Sequence, residues 1–412
     1  MSINLTQQAS KGAFWGLGSN LSVSFMSFLG TAIMARILAP RDFGLIGMAV
    51  LITGVVNLFG NLGLGVALIQ KKNIDEEYLS TSFWISIAAS VGLFLIGLIL
   101  APVSSWFFKE VSIKWIIIVL SFNFIISSFA SVHSVLLYKG MKFRSIAITE
   151  IISRFLRIAF MLVFGLLGFS FWSIVLGMVA ERILKTVLLI LSIQWKPRNV
   201  FSKEKFKELF RFGRHIYGQS FLEYFSQNID FIVTGRLLGA NMLGIYQFSY
   251  NLPYLVHTYV RDGIGPVVFP AFSKVNSDKE RLARGFFTAV KFISMIVFPL
   301  MGGLSFCASD FITIVYGSRW LPAALPLQLL CYSAALASVN YIDKSVFNAL
   351  GRPDIGFKWG LFRLPLTIGC VILFSRWGII GIAAAMFLVE IITTVLSYIA
   401  TKLLNVKFQE YL

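Results

Sequence analysis

Long apolar runs separated by short polar turns recur along the whole 412-residue chain. They cover 12–35, 44–69, 79–101, 113–137, 146–168, 171–194, 214–235, 242–270, 285–308, 321–350, 356–375 and 378–402. A bilayer core about 30 Å thick is crossed by a helix of about 20 apolar residues. The pattern therefore predicts an all-α polytopic membrane protein with about twelve transmembrane helices. Several runs exceed the minimum, which predicts tilt or interfacial ends.

The longest polar connection runs from Trp195 to Gly213. Ser202 is placed to cap a short helix there. Phe206, Leu209 and Phe210 fall at helical spacing, opposite Lys203, Lys207 and Arg211. This predicts an amphipathic helix on the cytoplasmic surface, with a solvated linker as the alternative. The domain reading is a six-helix bundle over 1–195, a linker over 196–213 and a second six-helix bundle over 214–412.

Two stretches two hundred residues apart align without a gap. Arg36-Ile-Leu-Ala-Pro-Arg-Asp-Phe-Gly44 pairs with Arg236-Leu-Leu-Gly-Ala-Asn-Met-Leu-Gly244. Gly18, Gly63 and Gly65 pair with Gly218, Gly263 and Gly265, and Ser134, Val135 and Gly140 echo Ser345, Val346 and Gly351. Six is even, so both halves enter the membrane in the same sense and the repeat is parallel. Tight helix packing could explain the glycine matches alone. Arg36, Gly44, Arg236 and Gly244 are expected to shape the matching first turns of the two bundles, as part of an outer gate.

Composition narrows the class. The chain is 57% hydrophobic and 13% charged, which excludes a soluble domain. A net charge of +17 raises nucleic acid as a partner, but its distribution argues against that. With the N-terminus cytoplasmic, 21 Lys and Arg residues fall on inside segments and 7 on outside loops. That asymmetry predicts both termini inside. Walker-type phosphate loops are missing from the sequence. Its outside loops hold no carboxylate pair of the kind a glycan-transferring enzyme would need, so no catalytic residues or cofactors are expected. His133, His215 and His257 are too scattered for a metal site. Cys307, Cys331 and Cys370 sit in apolar runs and read as small core residues.

The remaining eight cations lie inside the spans, where an ionisable group costs about 2.5–3.5 kcal/mol on insertion scales. Glu150, Arg154 and Arg157 form one stripe of the fifth span. Glu181, Arg182 and Lys185 mark the sixth, with Glu181 and Lys185 spaced to pair at i,i+4. Glu223, Gln227 and Asp230 share a face of the seventh. The eighth adds His257, Arg261 and Asp262; Lys291, Asp343, Lys344, Arg363 and Glu390 complete the set. One reading is a water-filled cationic cavity between the halves. Arg154, Arg157, Arg182, Arg261, Lys291 and Arg363 would hold a diphosphate there, because a guanidinium fork matches phosphate oxygens. Glu150, Glu181, Glu223, Asp230 and Glu390 would couple transport to a proton or sodium ion. The other reading is structural, with interhelical salt bridges and cations reaching for the interface. Trp15, Tyr224, Tyr250 and Tyr254 could stack on sugar rings, although lipid contact and packing explain most aromatics.

Ala35 to Gly44, Asn61-Leu-Gly-Leu-Gly65 and Ala67-Leu-Ile-Gln70 resemble the opening of the polysaccharide-transporter family. Asn228-Ile-Asp230, Gly235 to Gly239, Leu243-Gly-Ile-Tyr246 and Pro270-Ala-Phe-Ser273 look like the start of its second half. The likeness covers essentially the whole chain and is nearest the colanic-acid-exporter type. The superfamily also holds multidrug exporters and the peptidoglycan-precursor flippase. The resemblance implies a flippase for undecaprenyl-diphosphate-linked oligosaccharides in the bacterial inner membrane, working by alternating access. Lipid-linked oligosaccharide, membrane lipids, a coupling ion, and a polymerase with glycosyltransferases are the implied partners. Family members commonly have fourteen spans; Lys407 to Leu412 reads as a linker toward an absent thirteenth helix. A multidrug antiporter, a glycan-transferring membrane enzyme and a non-transporting component of a glycan-assembly complex are the rivals.

Overall fold

A computed structural model describes residues 2–60, 68–69, 74–205 and 217–406. These residues form helices and turns, with no strand among them. The chain divides into two compact units, Met1–Phe221 and Leu222–Leu412.

The first unit holds α1 (Ser2–Ile37), α2 (Pro40–Gly60), α3 (Glu76–Phe108), α4 (Ser112–Ser128), α5 (Ser131–Lys139), α6 (Phe143–Leu166) and α7 (Phe171–Leu191). Asp75 caps α3 by accepting from the Tyr78 N–H, and Glu76 and Glu77 complement the positive end of the helix. The break between α4 and α5 bends the chain by 50°. Small residues let α1 and α6 approach closely. A side chain on Gly30 would meet Ile158, and one on Gly165 would meet Met34. Val91, Leu95, Ile99, Val103 and Trp106 leave an exposed apolar stripe along α3, which suits lipid better than water.

The linker is described as far as Lys205, and it is stitched to the start of α3. The Arg198 and Ser202 N–H groups donate to the Ser80 and Thr81 hydroxyls, each at 3.1 Å. Trp84 Nε1 donates to the Arg198 carbonyl at 3.0 Å. Lys205 Nζ donates to Asp75 and Glu77, both at 2.6 Å, and lies 4.4 Å from the Tyr78 ring centroid. Ser202 caps the helical turn that starts at Lys203, accepting from the Lys205 N–H at 3.5 Å. The amphipathic face expected from Phe206, Leu209, Phe210, Lys207 and Arg211 lies outside the described residues.

The Lys205 clip carries a pH prediction. Its hydrogen bond to Asp75, helped by the Tyr78 N–H, holds the Asp75 carboxyl below its ordinary 3.8. A carboxyl depressed by folding adds stability above its unfolded pKa, and that contribution fades as pH falls through the folded value. The strap should therefore resist proteolysis at neutral pH and become cleavable only below about pH 4. Lys205→Met should make it cleavable at neutral pH. Cleavage indifferent to both changes would show that the clip does not hold the strap.

The second unit holds all but the first residues of α8 (Tyr217–Lys274), and α9 (Lys279–Phe306), α10 (Ala308–Val315), α11 (Ala324–Ala349), α12 (Pro353–Phe374), α13 (Gly378–Thr393) and α14 (Val395–Leu403). Gly239 divides α8 at φ 83° and ψ 177°, a conformation essentially confined to glycine. It aligns with Ala39, which lies in the turn between α1 and α2. Gly44 and Gly244 are buried just beyond these two breaks. The break chemistry differs. Asp42 accepts from the Ala39 N–H at 3.0 Å and from the Ser170 hydroxyl, whereas Met242 stands at its repeat position. Arg36 is exposed and Arg236 half-buried.

α11 is the hub of this unit, packed against α9 and α13. Cys331, Ala334, Ala335, Ser338, Ile342 and Val346 are all buried along it. Cys307 is exposed where α9 meets α10, and Cys370 is half-buried, so the expected core role holds only for Cys331.

Among the described residues, six helices are long and apolar enough to cross a membrane, or seven if the bent α4–α5 pair is one span. α6 and α7 have the length but carry Glu150, Arg154 and Arg157, and Glu181, Arg182 and Lys185. The charges that set them apart are the candidate site.

Candidate functional site

In the first unit, α6 and α7 bring their charged stripes together. Gly177 makes this possible, since a Cβ there would lie 2.9 Å from the Arg157 carbonyl oxygen. The two backbones therefore run close. Glu181, one turn further along α7, reaches Arg154 at 3.3 Å with one carboxylate oxygen and Arg157 at 3.2 Å with the other. Lys185 reaches Glu150 on α6 at 3.1 Å, and the Ser19 hydroxyl on α1 donates to the same Glu150 at 3.3 Å.

The expected i,i+4 pair of Glu181 with Lys185 is thus replaced by three ion pairs across the helix interface. Two guanidinium groups offer Glu181 more than one flexible ammonium on its own helix. Arg182 is exposed and makes no ion pair among the described residues. Arg154 Nε is buried with no acceptor among them. Four cations against two carboxylates leave the cluster two positive charges in excess. The side chains are screened but reachable, with Arg154 22%, Arg157 24% and Glu181 18% exposed.

The second unit carries a different cluster centred on α11. Asp230 is fully buried; it accepts from the Tyr246 hydroxyl at 2.8 Å, and its other carboxylate oxygen has no partner among the described residues. Tyr250 stacks on Tyr254 at 3.8 Å with the rings nearly parallel, and the Tyr254 hydroxyl bonds Ser333 at 3.1 Å. Each ring thus gives one face to the other, which narrows the room for the expected stacking on sugars. His257 bonds Ser338 at 3.2 Å, and Ser397 donates to buried Asp343 at 2.7 Å. Glu390, 2% exposed, accepts from Arg363, and Asn340 donates to its backbone carbonyl at 3.2 Å.

The other expected residues stand apart from this network. Glu223 is exposed and accepts from Gln227 at 3.2 Å. Arg261 bonds its neighbour Asp262 at 2.8 Å, and Lys291 is exposed on α9. Ser333, Asn340 and Ser397 were not singled out by sequence reasoning, and Tyr246 entered only as part of the Leu243 to Tyr246 motif. Their signal is weak, because an uncharged polar residue in an apolar run is common. Packing around α11 brings Asn340 to Glu390, Ser397 to Asp343 and Ser333 to Tyr254, while Tyr246 meets Asp230 within α8.

The comparisons extend this picture. The fold is similar to that of the Lipid II flippase MurJ in its inward closed conformation, with a TM-score of 0.76. That match covers 96% of this chain and 89% of the other at 16% identity, and so concerns the fold alone. The chain belongs to the family described as polysaccharide biosynthesis protein, whose pattern matches residues 33–325. It is 28% identical over 401 residues to a membrane protein of the cps region of Klebsiella pneumoniae, covering 96% of this chain and 82% of that one. It is 26% identical over 410 residues to the lipopolysaccharide biosynthesis protein WzxC of Escherichia coli K12, covering 96% and 81%.

Proposed function

We propose that this membrane protein moves lipid-linked oligosaccharide units across the membrane during assembly of a surface polysaccharide. The observation that carries the reading is the α6–α7 cluster: two excess positive charges on half-buried helix faces, in a chain of a polysaccharide-biosynthesis family. Such a cluster costs insertion energy that apolar side chains would not. An anionic ligand gives that cost a use. A lipid carrier holds its sugar through phosphate, here a diphosphate, and Arg154, Arg157 and Arg182 are the residues to bind it. Arg261, Lys291 and Arg363 are secondary candidates, and Arg363 is already engaged by Glu390.

The finer reading has an undecaprenyl-diphosphate carrier and movement from the cytoplasmic to the periplasmic leaflet of a bacterial inner membrane. It has twelve crossings in two parallel six-helix bundles, with both ends cytoplasmic. A proton or sodium ion drives the cycle. Buried Asp230, with one carboxylate oxygen unpartnered among the described residues, is the best-placed acid; Glu390, Glu223, Glu150 and Glu181 are the others. A polymerase and glycosyltransferases act on either side of the step.

The test is reconstitution. Purified protein in liposomes, under imposed proton and sodium gradients, should bring fluorescent undecaprenyl-diphosphate oligosaccharide to the opposite leaflet faster than empty liposomes do. Equal rates would overturn the proposal. Drug movement without lipid movement would assign the multidrug alternative.

A further inference from the structure

We infer that Glu181 is a tethered competitor for the substrate: its carboxylate occupies the anion site of Arg154 and Arg157 and yields it to a phosphate of the diphosphate. This rests on the proposed function and adds a device to it. The geometry is that of one anion shared by two cations, with one oxygen on each guanidinium at 3.3 and 3.2 Å. A guanidinium has five N–H donors, so one shared carboxylate leaves most of them unspent. Arg154 Nε, buried and without an acceptor among the described residues, is one such donor.

Exchange is favourable on charge. A carboxylate brings one negative charge and two oxygens, whereas the diphosphate that joins lipid to sugar brings two charges and four non-bridging oxygens. The cluster already carries two uncompensated positive charges, so the more highly charged ligand answers them better. Lys185 does not compete for the resting Glu181, because Glu150 and Ser19 hold that corner. It stands at i,i+4 from Glu181, within reach once the carboxylate is displaced. The exchange has room, since all three side chains are about one-fifth exposed.

The device explains how a site strong enough to draw in a diphosphate could also release it. The returning carboxylate supplies the counter-charge that the departing phosphate takes away. A purely structural Glu181 would instead hold the two arginines in place, and its loss would weaken anion binding.

The two roles predict opposite signs. Inorganic pyrophosphate is titrated into purified full-length protein at fixed ionic strength, with the melting temperature of each variant measured alongside. Wild type should bind weakly and Arg154→Ala/Arg157→Ala not at all. Glu181→Gln, which keeps shape and removes charge, should bind about tenfold tighter and turn over lipid more slowly. Glu181→Asp keeps the charge but shortens the reach by one methylene, so it should fall between wild type and Glu181→Gln. It also serves as the test if the glutamine variant does not fold. Unchanged or weaker binding in the folded Glu181 variants overturns the competitor role while leaving the arginine site standing. Binding that survives loss of both arginines, or is absent from every variant, overturns the arginine site and the competitor with it.

Discussion

Replacing Arg154 and Arg157 together by alanine should abolish surface-polysaccharide export in cells. A hydrogen bond to a charged group contributes about 1.5–3 kcal/mol, so losing two weakens diphosphate binding by about two to four orders of magnitude. The double variant also removes the cluster's whole positive excess. One complication has to be separated out. Glu181 would lose both partners, and an uncompensated buried carboxylate can cost several kcal/mol. Here the cost is smaller, because Glu181 is 18% exposed and Lys185 lies one turn away. The triple variant with Glu181→Ala removes the stranded charge altogether. It should restore any lost membrane abundance and leave export absent. Quantitative membrane blots and polysaccharide output measure the two separately, and normal output from a properly inserted double variant would sink the arginine assignment.

That cluster shows what a linear reading can and cannot reach. Glu150, Arg154 and Arg157 are visible as a stripe because helical spacing alone puts them on one face. Their partners are not visible. Whether Glu181 turns to Lys185 on its own helix or to α6 depends on how near the two backbones come, and Gly177 sets that distance. A glycine in an apolar run gives no hint of which neighbour it admits.

The repeat has the same limit. Arg36 to Gly44 against Arg236 to Gly244 is legible as a duplication, but the break at Gly239 needs the backbone to be seen. One half turns through Pro40 with an Asp42 cap, the other through a glycine-only conformation. Least legible was α11. Ser333, Ser338, Asn340 and Asp343 are scattered polar residues in an apolar run, and burial on every side makes them a network.

Arg363→Ala should be the most damaging single change to the stability of the second unit. Glu390 is only 2% exposed, and Arg363 is its one ion-pair partner among the described residues. Asn340 remains near, but its amide lies 3.5 Å from the carboxylate and 3.2 Å from the backbone carbonyl, so it serves the backbone first. Removing one partner of a buried ion pair costs about 3–5 kcal/mol, because the other charge is left without compensation. For a unit of this size that corresponds to a fall of about 6–20 °C in the melting temperature. Adding Glu390→Gln to Arg363→Ala should recover most of the loss, since a neutral amide in the same space needs no cation. Removing both charges is often nearly neutral where removing one is not. Thermal unfolding of the purified variants in detergent decides it. If the single variant melts with the wild type, Arg363 is not what holds the Glu390 charge. If it melts early and Glu390→Gln rescues it, the pair ties α12 to α13, with Asn340 binding both to α11.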